Sequence, residues 1–133
     1  MQARTTLTIA AIAGFLAVAL GAFGAHGLKS VLSPDMLKVY QTGVQYHLVH
    51  TVVLLGLGIW QAFNRDADVG RWLSRAVWLM LVGLLLFSGS LYLMTITGIR
   101  PLGIITPFGG TSWLIGWIFV LLAARKLPLQ QTS

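Results

Sequence analysis

The sequence contains no cysteine and no glutamate, and it carries few charges of either sign. Without cysteine, the chain has no disulfide, no thiolate nucleophile and no cysteine-ligated metal or iron–sulfur site. The only acids are Asp35, Asp66 and Asp68, so paired carboxylates are excluded from most of the chain. Neither GxGxxG nor GxxxxGK[ST] occurs, which removes the usual phosphate-binding loops. Charged residues make up 9% of the chain, against about 25% in soluble domains.

Hydrophobic residues, in contrast, make up 56% of the 133 residues. Four segments contain no Asp, Glu, Lys or Arg: 5–28, 39–64, 76–99 and 101–124. A bilayer core of about 30 Å needs roughly 20 apolar residues in a helix, and every segment exceeds that length. The sequence therefore predicts a single all-α membrane domain over 1–133. We expect a bundle of four transmembrane helices, at about 5–25, 42–63, 74–97 and 108–125.

The distribution of positive charge predicts an orientation in the membrane. Nine Lys or Arg against three Asp give a net charge of +6, but they form no basic run that would indicate nucleic-acid binding. With four spans, both termini and the loop between spans two and three share one side. Six of the nine cations lie on that side: Arg4, Arg65, Arg71, Arg75, Arg125 and Lys126. Because positive charge is retained in the cytoplasm, we expect both termini to be cytoplasmic.

Three local patterns predict how the helices begin and pack. Ser33-Pro34-Asp35 has the residue types of a helix start, with a capping hydroxyl, a first-turn proline and an acid near the dipole. Span one has small residues every three or four positions, which favours close packing inside the bundle, with a homodimer face as the alternative. Segment 100–110 (R-P-L-G-I-I-T-P-F-G-G) carries no charge beyond Arg100 and is rich in helix breakers. It predicts either an apolar hairpin at the interface or a partly re-entrant loop that lines a site.

The three histidines lie in two segments, G-A-F-G-A-H-G-L at 21–28 and Y-Q-T-G-V-Q-Y-H-L-V-H-T at 40–51. His47 and His50 are three residues apart, and Tyr46 is a helical neighbour of His50 at four residues. A polar residue in a spanning helix is costly, so these side chains should face the bundle interior and find partners. His26 is placed to meet the outer half of span two.

Four interpretations of the histidines remain open. They could bind a metal, although no acid lies in any span, and we expect no metal site. Haem would need His26 paired with His47 or His50, because two histidines at i and i+3 on one helix cannot be opposite axial ligands. A neutral, quinone-like molecule could bind beside Tyr46. The simplest interpretation is interhelical hydrogen bonding to hydroxyls or carbonyls, with no cofactor.

Span three offers partners for these histidines. It carries Ser88, Ser90, Tyr92, Thr95 and Thr97 in its outer half. Ser88, Tyr92 and Thr95 share one helical face, and the predicted topology places them level with His47 and His50. The sequence therefore predicts a polar cluster between spans two and three, either a ligand pocket or a hydrogen-bonded core.

The motifs G-A-F-G-A-H-G-L, T-G-V-Q-Y-H-L-V-H, F-S-G-S-L-Y and P-L-G-I-I-T-P-F-G-G together resemble the uncharacterised protein family 0382. This family is also catalogued as domain of unknown function 423 and is similar to the eukaryotic transmembrane protein 256. The resemblance covers essentially the whole chain and implies a small four-helix protein of the bacterial inner membrane, with no assigned activity. Besides the residues already named, its motifs add four site candidates: Gly24, Gly27, Pro107 and Gly110.

Taken together, these features favour a non-enzymatic membrane protein, with no catalytic residue assigned. The leading hypothesis is an accessory or scaffold protein of the lipid bilayer that self-associates or joins a larger complex. The alternative is a site for a small molecule or a lipophilic cofactor such as a quinone or haem, or a minor solute pathway, at the His/Tyr/Ser cluster.

Overall fold

The computed structural model describes residues 1–130, and all regular structure in that part of the chain is helical. Its helices are α1 (Ala3–Phe23), α2 (Pro34–Phe63), α3 (Ala67–Gly83), α4 (Gly89–Thr97) and α5 (Thr106–Arg125). π-helical turns extend α1 through Gly24–Leu28 and join α3 to α4 through Leu84–Ser88, while a short 3₁₀ turn, Arg100–Ile104, precedes α5.

Four continuous helical stretches within residues 1–130 are long and apolar enough to cross a membrane. They are Ala3–Leu28, Pro34–Phe63, Ala67–Thr97 and Arg100–Arg125, called spans one to four below. The predicted all-α, four-helix class is confirmed.

The helices of spans two and three begin before the predicted spans, and a side chain caps the first turn of each. The Ser33 hydroxyl accepts a hydrogen bond from the Met36 amide at 3.3 Å, so the predicted helix start is confirmed. The Asp66 carboxylate accepts from the amides of Asp68 and Val69, at 2.8 and 3.1 Å. Such caps satisfy amides that have no partner inside the helix. Span three therefore begins at Ala67, well before the predicted position 74.

The bundle consists of two closely packed pairs, span one with span two and span three with span four. The pairs join where α2 packs against α3, the π turn and α4, whereas spans one and four do not pack extensively against each other within the described residues. Small residues of span one, Ala10, Ala13 and Ala17, are buried. Gly14 and Gly21 lie directly beneath Thr51 and Val44 of α2. The small residues therefore serve packing inside the bundle.

The helix-breaking segment 100–110 forms a short turn followed by the start of α5. Leu102 and Ile105 close the turn through backbone hydrogen bonds, and Pro107 occupies the first turn of α5. The hydroxyls of Ser90 and Thr106 lie 2.6 Å apart and tie α4 to this start. The segment is thus a compact turn that opens span four and whose last residues belong to α5.

Candidate functional site

His47 is the centre of a hydrogen-bond cluster that joins three spans. Its Nε2–H donates to the Ala13 carbonyl of α1 at 2.9 Å, because a carbonyl can only accept. Its Nδ1 must then accept, and the Tyr92 hydroxyl of α4 donates to it at 2.8 Å. Both ring nitrogens are therefore occupied, and the neutral imidazole links spans one, two and three.

Two further hydrogen bonds connect the same three spans through main-chain carbonyls. The buried Ser88 hydroxyl, in the π turn of span three, donates to the Gly43 carbonyl at 2.8 Å. The buried Tyr40 hydroxyl donates to the Leu20 carbonyl at 2.5 Å. Each polar group in this cluster has a protein partner, which is the arrangement expected of polar residues that hold membrane helices together.

His50 has a different environment from His47, although only one helical turn separates them. Its Nδ1–H donates to the carbonyl of Tyr46, one turn earlier on the same helix, at 2.8 Å. Its Nε2 has no hydrogen-bond partner within residues 1–130. No side-chain polar atom in that region is both fully buried and unpartnered. The Nε2 atom must therefore reach open space, although the His50 side chain as a whole is only 5% exposed.

His50 lines an aromatic groove between α2 and α5, with a volume of about 440 Å³. We call it the α2–α5 groove; its main lining residues are Tyr46, His50, Phe87, Trp113, Leu114 and Trp117. The imidazole of His50 stacks on the Trp113 indole, with ring centroids 3.7 Å apart and planes within 6°. Volumes of 300–1,000 Å³ are typical of small-molecule sites in general, so the groove is large enough for one.

The wall of the groove depends on contacts that the sequence did not reveal. Trp113 is 4% exposed, and its indole N–H donates to the Met80 carbonyl at 3.0 Å. Gly83 leaves the room that this indole occupies, since a Cβ there would lie 2.3 Å from the ring. The backbone of Phe87 lies directly over Gly109 in the same way. Gly83 and Gly109 therefore allow spans three and four to approach each other closely. This close approach holds the aromatic wall of the groove in place.

A second groove lies between span one and span three, with a volume of about 290 Å³. It is lined mainly by aliphatic residues of α1 and of span three, among them Ile9, Ile12, Leu16, Leu81 and Leu85. His47 and Ser88 lie at this α1–α3 groove, but their polar atoms are all bonded to protein, as described above. The α1–α3 groove is therefore an apolar surface at which neither His47 nor Ser88 has a free hydrogen-bonding atom.

The structure separates the remaining predicted site residues. Ser90 donates to the Phe87 carbonyl at 2.9 Å, within span three. Pro107 and Gly110 line the α2–α5 groove. Gly24 lies beneath the Tyr40 ring, and Gly27 beneath the Phe23 ring, so both glycines provide room for aromatic side chains.

His26 does not join the other two histidines. It is exposed at the π turn that ends span one, and it is 13 residues beyond Ala13, the partner of His47. At 1.5 Å per residue this is about 20 Å along the helix. The paired histidines that a haem would need are therefore not brought together. Within residues 1–130, no three His, Asp or Glu side chains form a group that could hold a metal ion.

A family model described as "Protein of unknown function (DUF423)" matches residues 20–110, which is more than half of the chain. The chain belongs to this family. Among its relatives, the UPF0382 membrane protein YwdK of Bacillus subtilis is 47% identical over 125 residues, covering 92% of this chain and 98% of that protein. Like this relative, this DUF423 member is a membrane protein.

Two further relatives extend the similarity across other bacteria. The UPF0382 inner membrane protein YgdD of Escherichia coli K12 is 39% identical over 133 residues, covering 100% of this chain and 98% of that protein. A UPF0382 membrane protein of Haemophilus influenzae is 45% identical over 120 residues, covering 90% of this chain and 93% of that protein. No solved structure matches the chain significantly. The resemblance to family 0382 that the motifs predicted is confirmed.

Proposed function

We propose that this DUF423 protein binds a lipophilic small molecule in the α2–α5 groove, with a polar group of the ligand at Nε2 of His50. The observation that supports this proposal is the contrast between the two histidines. His47 has protein partners on both nitrogens, whereas His50 leaves Nε2 open at a groove lined by aromatic rings.

The energetic cost of an open polar atom in a membrane supports this assignment. Water is scarce in the bilayer core, so an unsatisfied polar group there costs several kcal/mol. His50 lies 16 residues from the start of α2 and 13 from its end. These separations correspond to about 24 and 20 Å along the helix, so His50 is far from both ends of the span. A bound molecule that bonds to Nε2 would remove this cost and fill the groove.

The accessory or scaffold role predicted from composition has weaker support. Small residues are the usual contact points between membrane helices, and span one turns Ala10, Ala13 and Ala17 inward, with Gly14 and Gly21 against α2. On its exposed side, α1 mixes small residues (Ala11, Ala19 and Ala22) with the bulky Ile12, Phe15, Leu16 and Val18, so no continuous small-residue face is left for a second copy. We therefore place the function in the groove and treat self-association as secondary.

Replacement of His50 by phenylalanine tests the site. Phenylalanine can keep the stack on Trp113 but removes the ring nitrogens. We expect wild-type protein, extracted in mild detergent, to retain a lipophilic molecule detectable by native mass spectrometry. We expect His50→Phe to retain about tenfold less, the effect of losing roughly 1.4 kcal/mol.

Tyr92→Phe is the matched control for that experiment, because it removes one polar atom from a neighbouring ring outside the α2–α5 groove. It should retain the molecule at the wild-type level. Equal retention by His50→Phe and wild type, or no retained molecule in either, would contradict the proposal.

We further infer that the protein resides in the bacterial inner membrane with both termini in the cytoplasm, as the six-to-three division of Lys and Arg supports. Because the chain has no cysteine, single cysteines report each side without background. In spheroplasts, a membrane-impermeant maleimide should label Ser30→Cys directly and label Gln130→Cys only after lysis. The reverse pattern would contradict this orientation.

A further inference from the structure

We infer that the ligand of the α2–α5 groove carries a flat, conjugated ring with a hydroxyl that donates a hydrogen bond to His50. The chemical class is a lipid-soluble hydroquinone or phenol. This inference rests on the proposed function and specifies the chemistry of the ligand head.

The hydrogen bond on the other side of the imidazole determines which role Nε2 plays. Nδ1 lies 2.8 Å from the Tyr46 carbonyl, and a carbonyl oxygen has no proton to donate. Nδ1 therefore carries the hydrogen, and in a neutral imidazole Nε2 is left as an acceptor. A ligand carbonyl at Nε2 would require a charged imidazolium, which is costly in an apolar environment. The ligand atom at Nε2 must therefore be a donor.

The other polar atoms of the groove wall are mostly committed to the protein. The Thr111 hydroxyl donates to the Pro107 carbonyl at 2.9 Å, and the Trp113 indole N–H donates to Met80. The Tyr46 hydroxyl has no partner within residues 1–130 and lies on a half-exposed side chain. Tyr46 is thus a second group that a ligand hydroxyl or carbonyl can contact, and its contribution needs a separate variant.

The aromatic residues of the groove favour a ring over an aliphatic alcohol. Tyr46 is 44% and Trp117 is 46% exposed, so both retain ring surface that the protein does not cover. Both rings lie near the imidazole, Tyr46 nearly parallel to it at 6.2 Å and Trp117 steeply inclined at 6.4 Å between ring centroids. Stacking on such rings adds about 0.5–1.5 kcal/mol beyond area burial, and a flat conjugated head can use it. The exposed Leu114 at the rim offers apolar surface for a tail.

The test compares an alkyl hydroquinone with the corresponding alkyl quinone. The two share the same carbon skeleton and differ in whether their oxygens donate or only accept. Binding to the full-length protein in detergent is measured by thermal shift under anaerobic conditions, and the reductant cannot break disulfides because the chain has no cysteine. We expect the hydroquinone to bind about tenfold more tightly than the quinone, as expected for one buried hydrogen bond.

Two variants and two further probes complete the experiment. His50→Phe should abolish the preference for the hydroquinone, whereas Tyr46→Phe should keep it. An alkyl phenol should bind as tightly as the hydroquinone, which would show that the ring hydroxyl they share is the group that binds His50. An alkanol of equal chain length should bind more weakly, because it has no ring.

The outcomes separate the two proposals. Equal, His50-dependent binding of both redox forms would overturn the donor requirement and leave the groove as a binding site. Equal binding of the alkanol and the phenol would overturn the ring requirement in the same way. If no probe binds and wild-type protein retains no lipophilic molecule, the proposed function fails and this inference fails with it.

Discussion

Replacing Gly109 by alanine should lower the unfolding temperature of the detergent-solubilised protein by on the order of 5–10 °C, the effect of an overpacking cost of about 2 kcal/mol. A Cβ at this position would lie 2.4 Å from the backbone nitrogen of Phe87 and 2.8 Å from its Cα. Backbone atoms cannot rotate away as a flexible side chain can, so spans three and four must move apart. Circular dichroism during heating measures the change.

Gly110→Ala is the matched control, since it adds the same methyl group at the next residue. Its Cβ would lie 3.8 Å from the nearest atom of the Phe87 ring, which is ordinary contact distance. We expect its unfolding temperature to stay near that of the wild type. Equal effects of the two substitutions would mean that close approach at the π turn does not limit stability.

Replacing His47 by alanine should destabilise the bundle by about 2–4 kcal/mol, through two lost interhelical hydrogen bonds and the cavity left behind. The Tyr92 hydroxyl loses its partner, and the Ala13 carbonyl loses a donor from α2. Thermal unfolding in detergent measures the effect. Tyr92→Phe removes only one of the two bonds and should have a smaller effect of the same sign.

Variants of His47 and His50 should differ in the property they change: stability for His47 and ligand retention for His50. His47→Ala should lower stability while the folded fraction keeps its groove ligand, since His47 does not line the α2–α5 groove. His50→Phe should lose the ligand with a smaller loss of stability. If His47→Ala left the unfolding temperature unchanged, the three-span cluster would not be a structural element.

Charge placement and helix-capping chemistry were sufficient to predict the four helices. An apolar run in lipid must satisfy its backbone hydrogen bonds internally, and a helix is the local way to do so. The start of span two was predictable from Ser33, Pro34 and Asp35, because capping and first-turn preferences depend only on residues within one helical turn. The sequence also predicted that His47, Tyr92 and Ser88 lie at a similar depth in the membrane, because the number of residues from the end of a helix determines depth.

The different roles of His47 and His50 could not be predicted from sequence. Both side chains lie on the inward side of α2, and which nitrogen meets a partner depends on the rotation of α2 relative to α1 and α5. Trp113 illustrates the same limit. In the predicted span 108–125 it lies close to the start, a position typical of an interfacial anchor, yet it is buried and stacked on His50.

The different spacing of Gly109 and Gly110 from Phe87 depends on the π turn of span three. The amide of Gly89 bonds to the Leu84 carbonyl, one residue further back than in an α-helix. The extra residue shifts the faces of span three that meet its neighbours, and nothing in L-L-L-F-S indicates such a turn. One signal was available, since Gly109, Trp113 and Gly116 recur on one face of α5 and alternate small with large residues.

Near its start, span one holds span two through a side chain, since the buried Thr6 hydroxyl donates to Gln61 of α2 at 2.6 Å. Further along, it contributes main-chain acceptors instead. His47 and Tyr40 of α2 both donate to its carbonyls, those of Ala13 and Leu20. Every amino acid supplies the same carbonyl, so substitutions in α1 can change its side chains without removing these acceptors. Beyond Thr6, span one can therefore diverge in sequence as long as its inner face stays small, whereas exchange of Tyr40 or His47 removes a hydrogen bond between the two spans.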